Sequence, residues 1–190
     1  MSNTLILGDG PGGLSAALLL AKCGHAVTVV GNDQTPLHVT DLRNYLGVEP
    51  TPGPEFLARA RAQVTGFGAT LVAGEVKTVE ELDDDADSDA RFVATLDDGT
   101  TYRGRYLIIA SGRARQFGLA LGVATNDEDG LDADHDGCTN LDGVYAVGWA
   151  SRPHRIQAII SAGDGAAAAL HVLSQEAGKN VRDFDTLPKD

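Results

Sequence analysis

The sequence predicts a three-layer α/β domain built around a central parallel sheet. Its opening residues carry the pattern. "TLILG" (4–8) is a short apolar run of strand length, "GGLSAALLLAKC" (12–23) is a helix rich in Ala and Leu closed by Gly24, and "AVTVV" (26–30) is a second apolar run. A strand, a helix and a strand joined this tightly make a crossover unit, which pairs its strands in parallel. Gly8, Gly10 and Gly13 sit at the strand-to-helix turn with the spacing G-x-G-x-x-G. That placement makes the unit Rossmann-like and phosphate-binding, where the same spacing elsewhere would be weak evidence.

The remaining elements follow in order. Residues 54–67 ("PEFLARARAQVTGF") read as a helix with Pro54 in its first turn, where a missing N–H costs nothing. Three strand-like runs come next, at 70–79, 91–96 and 102–111. The acidic stretch 80–89 separates the first two, and "DDGT" (97–100) is a tight turn between the second and third, so an antiparallel β-meander is expected. A short strand at 143–148 and a helix over 163–177 close the domain. With 190 residues, no repeats and no Ser/Pro-rich linker, a single domain over 1–180 with a tail at 181–190 is the economical division.

Composition excludes several classes of function. Twenty Asp and seven Glu stand against eleven Arg and four Lys, a net charge of -12. No basic stripe is available for nucleic acid. A surface rich in Asp and poor in Lys suits high ionic strength, where carboxylate repulsion is screened, so the sequence reads as halophilic. No apolar run approaches the ~18 residues a membrane helix needs, and no signal-peptide pattern precedes the first strand; the expected location is cytoplasmic. Cys23 and Cys138 form no C-x-x-C. Cys23, near the end of the first helix, is expected to pack against the sheet as a small hydrophobe.

Two other patterns suggest metals. "DADHDG" (132–137) opens like a calcium loop, but Gly143 stands where the bidentate Glu belongs. The five histidines, His25, His38, His135, His154 and His171, lack zinc spacing. No metal is expected. His38 and His154, in loops near the expected cofactor, are the better catalytic candidates among them.

Beyond the glycine turn, the chain resembles the FAD domain of the thioredoxin reductase family. "GDGPGGLSAALLLAKCG" is similar to that family's FAD turn, and 44–76 to the segment running from an Asn-aromatic-x-Gly loop through a helix to a Gly-x-Val strand. "YLIIASGRAR" (106–115) resembles its A-T-G strand end, and 139–169 its last FAD-binding strand and closing helix. The resemblance implies FAD as the cofactor. It places Gly8, Gly10, Pro11 and Gly12 on the pyrophosphate, with Gly13 letting the helix pack close to the sheet. Asn32 would lie near the adenosine and Val76 would meet the adenine through its backbone. Ala110 and Gly112 would pass the pyrophosphate. Asn44 would stand on the ribityl–flavin side, and Gln157 and Ala158 under the isoalloxazine, where the last helix points its N-terminus. The resemblance also implies a homodimer.

Three departures accompany the resemblance. The family inserts an NADPH domain with a C-x-x-C after the A-T-G strand, whereas here about 30 residues separate Ala110 from the closing strand, too few for a second nucleotide domain. Gly148-Trp149 replaces the family's Gly-Asp, as in adrenodoxin reductase-like flavoproteins, and Trp149 is expected against the flavin. Only Gln34 is left of a Gly-Gly-Gln stretch. The function implied is a single-domain FAD oxidoreductase exchanging electrons with a redox partner protein or a small molecule. The alternatives are a flavin-binding subunit completed by a partner chain carrying the nicotinamide site, or a non-catalytic module.

Overall fold

In the computed structural model, residues 3–82 and 89–187 are described. The core of the acidic stretch expected at 80–89 and the last three residues of the expected tail lie outside them. Five parallel strands form the central sheet in the order β10-β9-β1-β2-β5: β1 (Asn3–Leu7), β2 (Ala26–Gly31), β5 (Thr70–Ala73), β9 (Tyr106–Ile109) and β10 (Val144–Ala146). Leu5 lies opposite Thr28 on one side and Leu107 on the other. Alternate residues serve opposite faces, as pleating requires. Ile6, Val29 and Ile108 enter one apolar core with α1 (Pro11–Lys22), α2 (Gly53–Gly66) and α4 (Ala158–Ala177). Leu5, Leu7, Val30, Leu107 and Ile109 enter a second core. That second core is roofed by the antiparallel meander β6 (Val76–Glu81), β7 (Phe92–Leu96) and β8 (Thr101–Gly104), together with α3 (Gln116–Leu121).

The predicted class and meander are present, with four corrections. The run at 70–79 is two strands, because Gly74 donates its N–H to Gly31 O and the chain then leaves the parallel sheet for the meander. The run at 102–111 divides likewise at Arg105, whose N–H reaches Asn3 O. The closing helix begins at Ala158 rather than 163; Gln157 stands at its N-cap with no side-chain cap, so no capping residue marks that start in the sequence. Cys23 is exposed, because it caps α1 beyond the last packed turn, just ahead of the left-handed Gly24. A two-residue hairpin, β3 (Asp41–Leu42) with β4 (Thr51–Pro52), and the short α3 carry no clear sequence signal.

α1 and α4 pack closely beneath the sheet. A side chain on Gly165 would put its Cβ 2.0 Å from Gly12 O, so the pair of glycines sets how near α4 comes to the first turn of α1. At the chain's end, Asp183 and Asp185 pair with Lys22 at 2.6 and 2.7 Å, which ties the segment after α4 back to α1.

Candidate functional site

All five parallel strands end on one side of the sheet, and a cleft of about 590 Å³ opens beyond the carboxyl ends of β1, β2, β9 and β10, within the ~300–1,000 Å³ typical of ligand clefts. Ligands in open α/β sheets bind at such an edge. The turn out of β1 forms its floor. Gly8 has φ +113°, and a Cβ there would stand 2.3 Å from Ala110 O, so only glycine lets β1 and β9 end side by side. Gly10 precedes α1 with no side-chain cap, which leaves backbone N–H groups of the first turn free for an anion.

Thirteen of the sequence-predicted residues line this one cleft: Gly8, Gly10, Pro11, Gly12, Asn32, Asn44, Val76, Ala110, Gly112, Gly148, Trp149, Gln157 and Ala158. Gly13 stands behind the wall, buried, where a Cβ would fall 1.9 Å from Gly8 O; it is a spacer between helix and strand. Asn32 and Val76 flank one end of the cleft. At the other, Asn44 Nδ2 donates to Gln157 Oε1 at 2.7 Å, joining the β3–β4 loop to the start of α4. Gln34 also lines the cleft.

Several lining residues were not foreseen. Asp9, Thr35, Leu37, Leu42 and Ser161 all face the cleft. Leu37 and Leu42 are buried and come from the irregular stretch after β2, which no periodicity marks. Asp9 was visible inside the glycine motif, but its ion pair with Arg61 depends on the fold. Arg113 lies over the Trp149 ring, 4.7 Å from its centroid. The turn carrying Trp149 is fixed by Asp164 of α4, which accepts from Gly148 N (3.2 Å) and Arg152 Nε (2.9 Å).

The other candidates sit elsewhere. His38 Nε2 lies 2.7 Å from Asp33 Oδ1, and His154 is exposed in the loop before α4. In the calcium-like loop, Asp134 Oδ1 accepts the N–H groups of Asp136 and Cys138, both at 2.9 Å, so that carboxylate is spent on its own turn.

These features fit a dinucleotide. A glycine floor and an uncapped helix start suit a diphosphate, and polar groups stand at both ends for a base and a flavin ring. Fold and cleft together define a dinucleotide-binding flavoprotein domain. The sequence profile of the pyridine nucleotide-disulphide oxidoreductase family matches residues 50–166. The chain belongs to that family, and its cofactor is FAD. It is 37% identical over 122 residues to a thioredoxin reductase of Aquifex aeolicus, covering 60% of this chain and 36% of that protein. Among solved structures, the atypical thioredoxin reductase TRi of Desulfovibrio vulgaris Hildenborough superposes with a TM-score of 0.83 at 19% identity, over 94% of this chain and 99% of that one. A ferredoxin-flavin thioredoxin reductase of Clostridium acetobutylicum gives 0.76 at 17% identity, over 93% and 98%. The matched part spans 34–44% of the length of the curated relatives.

Proposed function

We propose that this chain is an FAD oxidoreductase domain that exchanges electrons with a separate redox protein or small molecule, without a nicotinamide domain inserted in its own fold. The observation that carries the reading is the path from β9 to β10. Residues 110–143 contain only the six-residue helix α3, turns and isolated β-bridges, and among the described residues a single glycine turn opens a βαβ unit. With FAD in that turn, a pyridine nucleotide has no cradle for its own diphosphate. Bound FAD supplies the redox chemistry, and the protein supplies orientation, charge and access. In this reading the thirteen lining residues named above hold the cofactor, with Asn44, Gln157 and Ala158 at the flavin end.

The match to a ferredoxin-flavin enzyme supports a protein partner only by likeness of fold. Exposed apolar side chains near the flavin end, Leu46 in the β3–β4 loop and Ile156 and Ile159 at the start of α4, favour coverage by another protein surface. A second copy in a homodimer and a partner chain carrying the nicotinamide site are the two readings of that surface. We further read the acidic composition as that of a cytoplasmic halophile. Domain bounds of 1–180 and a tail at 181–190 complete the proposal.

Anaerobic stopped-flow mixing of the flavin-loaded protein with NADPH, NADH and a reduced ferredoxin tests it. Slow, non-saturating bleaching by the nucleotides, with fast reduction by a protein donor or after addition of a cell fraction, is expected. Saturable reduction at micromolar NADPH by the chain alone would replace this reading with a self-sufficient reductase.

A further inference from the structure

The cofactor turn contains a residue whose charge opposes its ligand. Asp9 lies between Gly8 and Gly10 and lines the cleft, where a diphosphate would bring further negative charge. Like charges at such range repel strongly when partly desolvated. The fold answers this from a different element. Arg61, in the middle of α2, donates from Nη2 to Asp9 Oδ2 at 2.8 Å, and the two side chains are only 26% and 17% exposed. Room for the carboxylate is made at the end of β2, where a Cβ on Gly31 would stand 2.3 Å from Asp9 Cγ. Arg61 does not line the cleft. It is shared with Asp33, a second hydrogen-bonded carboxylate held at a left-handed φ of +58° and also paired with His38.

We propose that Arg61 is a positioning residue for FAD: it binds the Asp9 carboxylate at the cleft wall and offsets its charge, so that the glycine turn accepts a dianionic diphosphate. This rests on FAD occupying the cleft, and adds that its affinity depends on a residue of α2 outside the cleft. The dependence runs through Asp9. Removing Arg61 leaves a half-buried anion facing the cofactor, while removing both charges leaves nothing to compensate. A merely structural arginine would be needed whatever stands at position 9.

The test is a double-mutant cycle on the flavin-stripped full chain, with FAD binding measured by isothermal titration and the fold checked by melting. Binding by the unaltered protein upholds the cofactor assignment on its own, and its absence would sink that assignment rather than this one. Arg61→Gln is expected to weaken FAD by about tenfold or more. In an Asp9→Asn background the same change is expected to cost less than about threefold. If Arg61→Gln alone fails to fold, the Asp9→Asn background still decides, since a tenfold loss there has no charge at position 9 to explain it. Equal losses in both backgrounds, or none in either, overturn the proposal.

Discussion

The guanidinium of Arg113 stacks on the ring of Trp149, 4.7 Å from its centroid, and the two close the cleft from neighbouring loops. Arg113 follows β9 and Trp149 follows β10, so the contact joins the ends of two adjacent strands. Gly112 and Gly148 both take positive φ, +61° and +63°, to turn the loops toward each other. Asp164 holds the Trp149 turn from α4. A cation over an indole face at this distance attracts through the ring quadrupole, and the stack puts positive charge at the wall of the cleft.

Trp149 is the only tryptophan and lines the cleft, so it should report cofactor binding directly. Adding FAD to the flavin-stripped protein is expected to quench its emission in a saturable, one-to-one titration. Arg113→Ala should weaken FAD by about three- to tenfold, while Trp149→Phe keeps a ring for the arginine and should cost less. Unchanged tryptophan emission at saturating FAD would place the cofactor away from this wall.

Two glycines at opposite ends of the packing scale give a second expectation. At Gly13 a Cβ would sit 1.9 Å from Gly8 O, so Gly13→Ala must lift α1 from the turn. A loss of about 1–3 kcal/mol or more is expected, with weakened FAD binding. At Gly66, the last residue of α2, nothing lies within 4 Å of the added carbon, and Ala should gain up to about 0.5–1 kcal/mol by helix propensity. Urea denaturation of both variants checks the contrast; equal effects would mean that backbone entropy, not the close approach, governs position 13.

The division between what the sequence predicts and what the structure adds follows the range of the forces involved. The glycine turn, α1 and β2 are legible because local periodicity and a sterically enforced turn coincide. Asn44 and Gln157 are 113 positions apart, yet both are expected at the flavin end by resemblance, and the structure joins them by a hydrogen bond. What escapes is set by tertiary contact. Residues 70–79 look like one strand because strand formers stand on both sides of Gly74, while the break there comes with a hydrogen bond to Gly31. Arg61 reads as a solvent-facing helix residue, and only the fold shows Asp9 and Asp33 against it. Arg152 pairs with Asp164 and Arg155 with Glu128, pairings that local sequence does not contain.

The thiols should differ in reactivity. Burial pushes the Cys138 thiol up to about 12, with the Asp134 charge adding to it, and His171 lies 3.5 Å from its sulfur. Cys23 is exposed, its thiol raised mainly by desolvation. Near pH 8, iodoacetamide is expected to label Cys23 first and leave Cys138 largely protected until the protein unfolds. Because the native thiol holds its proton more tightly than the unfolded one, its contribution to stability is present below about pH 9 and lost as pH rises toward the native value. Cys138→Ala should flatten the alkaline fall in melting temperature; an unchanged slope would assign that fall to other groups.

Salt should stabilise the protein, for a reason visible in its ion pairs. Cations are shared: Lys22 holds Asp183 and Asp185, Arg61 holds Asp9 and Asp33, and Arg91 holds Glu81 and Asp142. With 27 acidic against 15 basic side chains, further carboxylates are left to repel one another across the surface. Added salt weakens both attraction and repulsion, but exposed pairs contribute only about 0–1 kcal/mol each, while the repulsion acts over the whole net charge. The screening length falls from about 10 Å at 0.1 M to about 3 Å at 1 M, shorter than most separations between surface charges. The melting temperature is therefore expected to rise with KCl over this range. Glu80→Lys combined with Asp97→Lys, at two exposed positions, changes the net charge from -12 by four units, to -8, and should reduce that rise. A melting temperature that falls with KCl would show that the shared pairs outweigh the repulsion, and would remove the physical basis for reading this surface as adapted to high salt.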